Sequence, residues 1–279
     1  MAVTLALLAA VSYGIGDFVG GLGGRRCPPA LIPVAVQIVG VLAAVAGVLA
    51  LGGTLSPQVW AWGALSGVGS GVGNVCLLRG LAVGQMSVVA PVSAVLTAAL
   101  PAVVGLASGD QLTGWGWIGI ALALPAVALA SWSGRDGGFR MSDVAYGLGA
   151  GAGFALLFVA LDRAGPDAGA WPLLPGQVVA LVFVLVVAAP ALRSLHRPVP
   201  VAGVLRWGGG AGLLGAAANL MFLIATGKGQ LTVSAVLAGL YPAVTVTLAA
   251  FLLHERLNRS QQTGLVSAAA AIVLIVTGS

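Results

Sequence analysis

A carboxylate, four amides and two phenols sit in runs of this chain that are otherwise apolar. They are Asp17, with Tyr13 one helical turn before it, the amides Gln37, Asn74, Gln177 and Asn219, and Tyr241, which precedes Pro242. A charged side chain at the centre of a membrane helix costs about 2.5–3.5 kcal/mol on insertion scales, so each such residue needs a reason to be there. On a helix the neighbours of Asp17 at three and four positions are Tyr13, Gly14, Gly20 and Gly21. That small face turns the carboxylate toward other helices rather than lipid, where it can carry a proton. The alternative is an interfacial Asp17 paired with Arg25 or Arg26. Asp162, at the end of the sixth apolar run, is the second carboxylate for a proton role. The amides can hydrogen-bond a polar solute, or they can link neighbouring helices at only about 0.6 kcal/mol apiece. Tyr241-Pro242 and Pro91 interrupt their helices near the middle, because proline removes a backbone donor. Irregular backbone at that depth survives only beside protein or a water-filled cavity. Tyr241 is therefore the aromatic residue expected to face a cavity. Ser93, Thr97 and Thr245 are weaker candidates, since their hydroxyls can bond back to their own helices.

Composition dictates what holds these residues. The chain is 59% hydrophobic and 7% charged, with a mean hydropathy of +1.07, against roughly 25% charged residues in soluble domains. Lipid must be its main solvent. A span needs about 20 apolar residues. Gly/Pro clusters and isolated charges divide the chain into ten runs, 2–22, 29–52, 58–82, 85–107, 113–133, 142–162, 170–191, 203–226, 230–252 and 260–278. The first run lacks the basic start and clean cleavage site of a signal peptide and reads as a span. The stretch from Ser133 to Asp143 is the linker, and Arg193 to Arg206 the other hydrophilic loop. Neither is long enough for a folded extramembrane module.

The chain also repeats itself. At an offset of 145, Asn74 falls on Asn219, Gly84-Gln85 on Gly229-Gln230, Asp110 on Glu255, Leu112 on Leu257 and Gly119 on Gly264, without a gap. Gln37 falls on Gln177 at an offset of 140, and Gly14 falls near Gly153. A duplicated unit with five spans must run through the bilayer in opposite directions, a common construction of secondary transporters. The expected fold is an all-α integral membrane protein of ten transmembrane helices in two inverted five-helix repeats, 1–134 and 141–279. The repeat would set Asn74 and Asn219 on equivalent faces, able to hold one solute from both sides. Asp110 and Glu255, closing the fourth and ninth spans, read as caps or salt-bridge residues.

The segment GQLTVSAVLAGLYPAVTVTLAAFLLHERLNRSQQTG, from Gly229 to Gly264, resembles the EamA-type repeat of ten-span members of the drug/metabolite transporter superfamily. Its marks are the small-polar start, the mid-helix Tyr-Pro, the apolar run ending in Glu255, then Gln262 and Gly264. The segment from Gly84 to Gly119 keeps the spacing but has Asp110 for Glu and no Tyr-Pro. The resemblance implies a carrier whose central cavity is lined by the first, third and fourth helices and their repeat-mates. It also implies alternating access, often as efflux, and leaves the substrate unnamed.

These readings converge on an inner (plasma) membrane carrier that exports a small metabolite, amino acid or drug by rocking of its two halves. The cavity is expected to be lined by Tyr13, Asp17, Asn74, Asn219 and Tyr241, with Gln37 and Gln177 as further substrate-binding candidates. So few charges suit a neutral or zwitterionic solute. The rival reading is a membrane-embedded enzyme or lipid-handling scaffold, which needs a nucleophile–base set or a lateral opening. His196 and His254 lie in loops far apart, and Cys27 and Cys76 lack partners at ligand spacing. Gly14, Gly16 and Gly20 follow no strand and make no dinucleotide fingerprint, and Gly227-Lys228-Gly229 is no phosphate loop. The chain is read as no enzyme, with no cofactor, metal or nucleic-acid partner. A homodimer is compatible with it.

Charge also orients the chain. Loops after odd spans hold Arg25, Arg26, Arg79, Arg135, Arg140, Arg193, Arg197, Arg206, Arg256 and Arg259, whereas loops after even spans hold Arg163 and Lys228. Basic residues stay on the cytoplasmic side of short loops, so both termini are expected outside. A Ser279→Cys variant, with Cys27 and Cys76 replaced, should react with a membrane-impermeant maleimide in intact cells. Labelling only after permeabilisation would reverse the orientation.

Overall fold

Glycine and alanine, rather than large apolar side chains, set how these helices meet. Lipid is as apolar as leucine, so helices associate through close packing where small residues let backbones approach. The computed structural model describes residues 1–83, 86–132, 140–193, 201–254 and 256–277, without the side chains at 78, 81–83, 86 and 87. Gly84-Gln85, the linker residues 133–139 with Arg135 and Asp136, the loop 194–200 with His196 and Arg197, Glu255 and Ser279 therefore lie outside the described residues.

Besides a single 3-10 turn at Pro166–Ala168, the described residues form ten helices and no strand: α1 (Ala2–Arg26), α2 (Leu31–Leu51), α3 (Pro57–Val83), α4 (Met86–Ala107), α5 (Gly114–Ala130), α6 (Met141–Arg163), α7 (Leu173–Arg193), α8 (Val201–Lys228), α9 (Leu231–Leu252) and α10 (Arg259–Thr277). Each expected apolar run coincides with one helix. Eight are long and apolar enough to cross a membrane, all except α3 and α5. The fifth run ends up shorter than expected, as a helix of 17 residues starting where Thr113 Oγ1 accepts from Gly116 N–H at 3.2 Å. Two helices are irregular. A π-turn, Leu205–Gly209, lies near the start of α8. In α9 the α-helical path stops at Ala238 and resumes at Tyr241, where Pro242 needs no donor. The fourth span differs from expectation: α4 runs through Pro91 and Pro101 without a break. Pro91 stands so near the start of α4 that the carbonyl it leaves free belongs to the first turn.

Neighbour relations are specific. α1 packs on α8 and α9, α6 on α3 and α4, α2 on α7 and α8, α3 on α7, α4 on α9, and α5 on α10. Replacing every helix by the one five places away returns the same set. The register of the contacts agrees with this exchange. A Cβ on Gly147 would meet Val92 and one on Gly151 would meet Leu96, which sets Phe154 in line with Ala99. A Cβ on Gly14 would meet Val244 at 2.5 Å, and Val244 is the repeat-mate of Ala99 at an offset of 145. Leu8 and Leu148, 140 residues apart, are each 48% exposed.

α3 and α6 approach backbone to backbone, so that a Cβ on Gly153 would lie 2.5 Å from Gly73 N and 2.7 Å from Gly69 O. Just beyond the end of α4, Asp110 reaches across to α9. Its Oδ2 accepts from the Thr232 N–H at 2.8 Å, while Thr232 Oγ1 donates to Ala102 O at 3.1 Å. A carboxylate on the second residue of a helix satisfies a free donor and meets the positive end of the helix dipole. Two expectations follow. Asp110→Ala should lower stability by about 1 kcal/mol, the usual worth of such a cap. Gly153→Val should abolish the folded state, because backbone atoms cannot yield as a side chain does. Thermal melts of detergent-solubilised protein check both, and a Gly153→Val protein melting as wild type would refute the packing argument.

Candidate functional site

The polar residues of α1 lie on a face of their own. Leu8 and Val11 are exposed at 48% and 41%, forming an apolar strip. Asp17 is nine residues beyond Leu8, half a revolution round the helix at about 100° per residue. It too is exposed, as is Gly21 one turn later, yet on the side opposite the apolar strip. Nothing lies within 4 Å of the position a Cβ would take on Gly21, Gly24 or Gly215. Asp17 makes no hydrogen bond or ion pair among the described residues, so the expected alternative of a pair with Arg25 or Arg26 is not formed.

Tyr13 occupies the same face one turn earlier, and its hydroxyl donates to Asn219 Oδ1 of α8 at 2.5 Å. Its ring meets Tyr241 of α9 edge-on at 6.2 Å and Phe158 of α6 at 6.1 Å. Phe158 in turn stacks on Phe222 at 4.2 Å. Tyr241 stands at the break in α9, and Thr245, one turn on, donates to Gly14 O at 3.1 Å, tying α9 to α1. The carboxylate of Asp17 is within electrostatic reach of both tyrosine hydroxyls. Four of the expected residues, Tyr13, Asp17, Asn219 and Tyr241, thus form one group where α1, α8 and α9 meet.

One side of this group is sealed. Ala9, Phe158, Leu161, Phe222, Leu223, Leu231 and Ala235 pack there as a buried apolar plug. The other side, past Asp17 and Gly21, leads toward Arg25 and Arg26 and is open. The repeat-mates of Asp17 and Gly21 at an offset of 140 are Leu157 and Leu161, and Leu161 is 1% exposed. Equivalent stretches of α1 and α6 are therefore open in one copy and packed in the other.

The remaining candidates fall elsewhere. Gln177 and Asn219 line a cavity with Ser66, Ser70 and Leu157, about 10 Å³ in volume and so of the scale of one water molecule. The Gln177 amide lies against Gly40, where a Cβ would come within 2.9 Å of its Oε1. Asn74, paired with Asn219 by the repeat, bonds locally. Its Nδ2 donates to Ser70 O at 2.8 Å on its own helix. Gln37 is 7% exposed and has no hydrogen bond among the described residues. Ser93 and Thr97 are buried, Thr97 bonding back to Ser93 O at 2.8 Å as its type suggested. Asp162 stands at the end of α6 beside Arg163. Among the described residues no group of three His, Cys, Asp or Glu side chains could hold a metal ion.

Sequence reasoning missed Phe158 and Phe222. Each is one apolar residue inside an apolar run, so no local pattern marks it.

Comparisons with known proteins agree with the fold. A crystal structure of a protein superimposes with a TM-score of 0.75 at 17% identity, covering 99% of this chain and 98% of its own. At that identity the likeness concerns the fold alone. No curated protein sequence matches the chain. Residues 141–277 match the model of the EamA-like transporter family. That is the half containing Tyr241-Pro242 and Asn219, joined to a first half that packs as its counterpart. Through residues 141–277, this multi-pass membrane protein belongs to the EamA-like transporter family.

Proposed function

We propose that this protein is a secondary transporter, an exporter of the inner membrane, that moves a small zwitterionic or amine-bearing metabolite or drug by alternating access. The observation that carries this reading is the unpartnered Asp17, exposed on the inner face of α1 beside Tyr13, Asn219 and Tyr241. An unpaired carboxylate among phenols and an amide suits an ammonium group, with the rings supplying cation–π attraction and Asn219 a hydrogen-bond partner. An anionic solute would meet repulsion there.

Two inverted repeats of five spans each form the machine in this proposal, 1–134 and 141–279. The exchange of helix neighbours and the shared register of α1 and α6 support it. The packing favours moving parts other than the two sequence halves. α1, α2, α8 and α9 associate as one group and α3, α4, α6 and α7 as another. Each group draws two helices from each repeat. Rocking of these mixed groups replaces rocking of the halves, because close glycine contacts tie α3 to α6 and α7 in one group and α1 to α8 and α9 in the other. A homodimer is not needed to complete the site. The enzyme or scaffold reading finds no support in the Asp17 group, which has no nucleophile beside a base.

Reconstituted liposomes test the whole reading. Uptake of labelled amine-bearing metabolites should exceed that of empty liposomes, and a scaffold would move nothing above that background. Asp17→Asn keeps the shape and removes the titrating group. Its transport should fall about tenfold and lose its dependence on a proton gradient, equivalent to about 1.4 kcal/mol on the barrier. Full gradient dependence in Asp17→Asn would remove Asp17 from the coupling role.

Tyr13→Phe and Asn219→Ala each delete the same hydrogen bond. Each should slow transport about threefold, the size of a typical interhelical bond. The double variant should be no slower than the worse single one, because coupled residues are not additive. Multiplied effects in initial-rate measurements would mean the two act separately.

A further inference from the structure

Arg26, Arg206 and Trp207 form a cluster that the transport site does not use. The Arg26 guanidinium carbon lies 4.7 Å from the centroid of the Trp207 ring, and that of Arg206 lies 5.3 Å from it. The two cations are thus no more than 10 Å apart, and Arg25 is adjacent in the chain. All three arginines are exposed, and none has a carboxylate within ion-pair distance among the described residues. Like charges gathered on one ring repel, so the cluster calls for an anion from outside the chain.

The backbone is shaped to build this cluster. A Cβ on Gly23 would lie 2.7 Å from Trp207 Cβ, so only glycine lets the indole approach α1. Arg206 and Trp207 belong to the π-turn Leu205–Gly209, an irregularity that often marks functional positions in helices. Depth is set by length. α1 has 25 residues, about 37 Å at 1.5 Å per residue, against a hydrocarbon core of about 30 Å. α8, at 28 residues, overshoots further. The end of α1 and the start of α8 therefore lie in the headgroup layer, where tryptophan is enriched.

We propose that Arg25, Arg26, Arg206 and Trp207 form a binding site for the phosphate headgroup of an anionic phospholipid, held at the junction of α1 and α8. Arginine recognises phosphate oxygens through its planar fork of donors, and the indole keeps the two guanidinium groups poised at its ring. The anion comes from the bilayer itself, since the helix lengths put the exposed cluster at headgroup depth. The site does not depend on the transport reading, because it uses neither Asp17 nor its neighbours.

The test uses the full-length protein in mixed micelles with phosphatidylglycerol, phosphatidylcholine or inorganic phosphate, read by native mass spectrometry and by thermal melting. Wild type should retain phosphatidylglycerol over phosphatidylcholine and melt higher in its presence. Arg26→Gln with Arg206→Gln should weaken that retention about fivefold for each arginine removed. Arg26→Lys with Arg206→Lys, which keeps the charge, should hold an intermediate amount and serves as the folded control. Arg193→Gln with Arg256→Gln, elsewhere in the chain, should retain as wild type does. Equal retention of both lipids by wild type overturns the proposal, as does equal loss in the two glutamine variants. Displacement of phosphatidylglycerol by millimolar inorganic phosphate would also overturn it, by making the ligand a free anion.

Discussion

An apolar solvent cannot push apolar helices together, and this chain is built around that constraint. What holds α3 to α6 and α1 to α8 and α9 is contact distance, made short by glycine at Gly69, Gly73 and Gly153, and at Gly14 against Val244. Apart from Phe18, the buried positions along α1 are accordingly small: Ala6, Ala9, Ala10, Gly14, Gly16 and Gly23. Such faces present shallow, repeated surfaces rather than interlocked large side chains. They can hold a helix closely while leaving low barriers to sliding.

The same constraint makes each polar group conspicuous. Polar atoms in the described part of the bundle mostly bond to nearby backbone: Asn74 to Ser70, Thr97 to Ser93, Thr247 to Ala243. Tyr13 to Asn219 is a different kind of bond, because it joins side chains of two helices 206 residues apart in the chain. The offset of 145 brings the amide twice, as Asn74 and Asn219. The tyrosine has no phenol in its repeat-mate: the corresponding stretch of α6 is Gly151-Ala152-Gly153. α6 has glycine there and packs shut, whereas α1 has Tyr13 and Asp17. The candidate site is therefore one-sided, although the scaffold beneath it is nearly exchangeable.

That asymmetry also accounts for what could be read from the residues alone. The apolar helical runs and the Tyr-Pro break were legible because composition and spacing are local signals. The cap at Asp110 was legible as a structural residue, though not its partner Thr232, which is 122 positions away. Equal positions in the sequence repeat need not have equal neighbours: Asn74 bonds Ser70 on its own helix, whereas Asn219 meets Tyr13 of α1. Phe158 and Phe222 were invisible for the opposite reason, being apolar residues among apolar residues whose meeting depends on the fold. The packing of α1 with α8 and α9 across the two repeats likewise depends on tertiary contacts that no linear pattern carries.

Under the proposed reading, the packed copy describes what the open copy must become. Closing the open side would set the Asp17 and Gly21 face against neighbouring helices, as Leu161 is set now at 1% exposure. A leucine enters such an interface freely, but a bare carboxylate does not. Insertion scales set that cost at about 2.5–3.5 kcal/mol, enough to hold the closed state near or below 1% of the population. A proton on Asp17, or an ammonium group against it, removes most of the cost. The carrier would then close when occupied and stay open when empty and charged. Coupling would follow from where one carboxylate stands, with no dedicated gate.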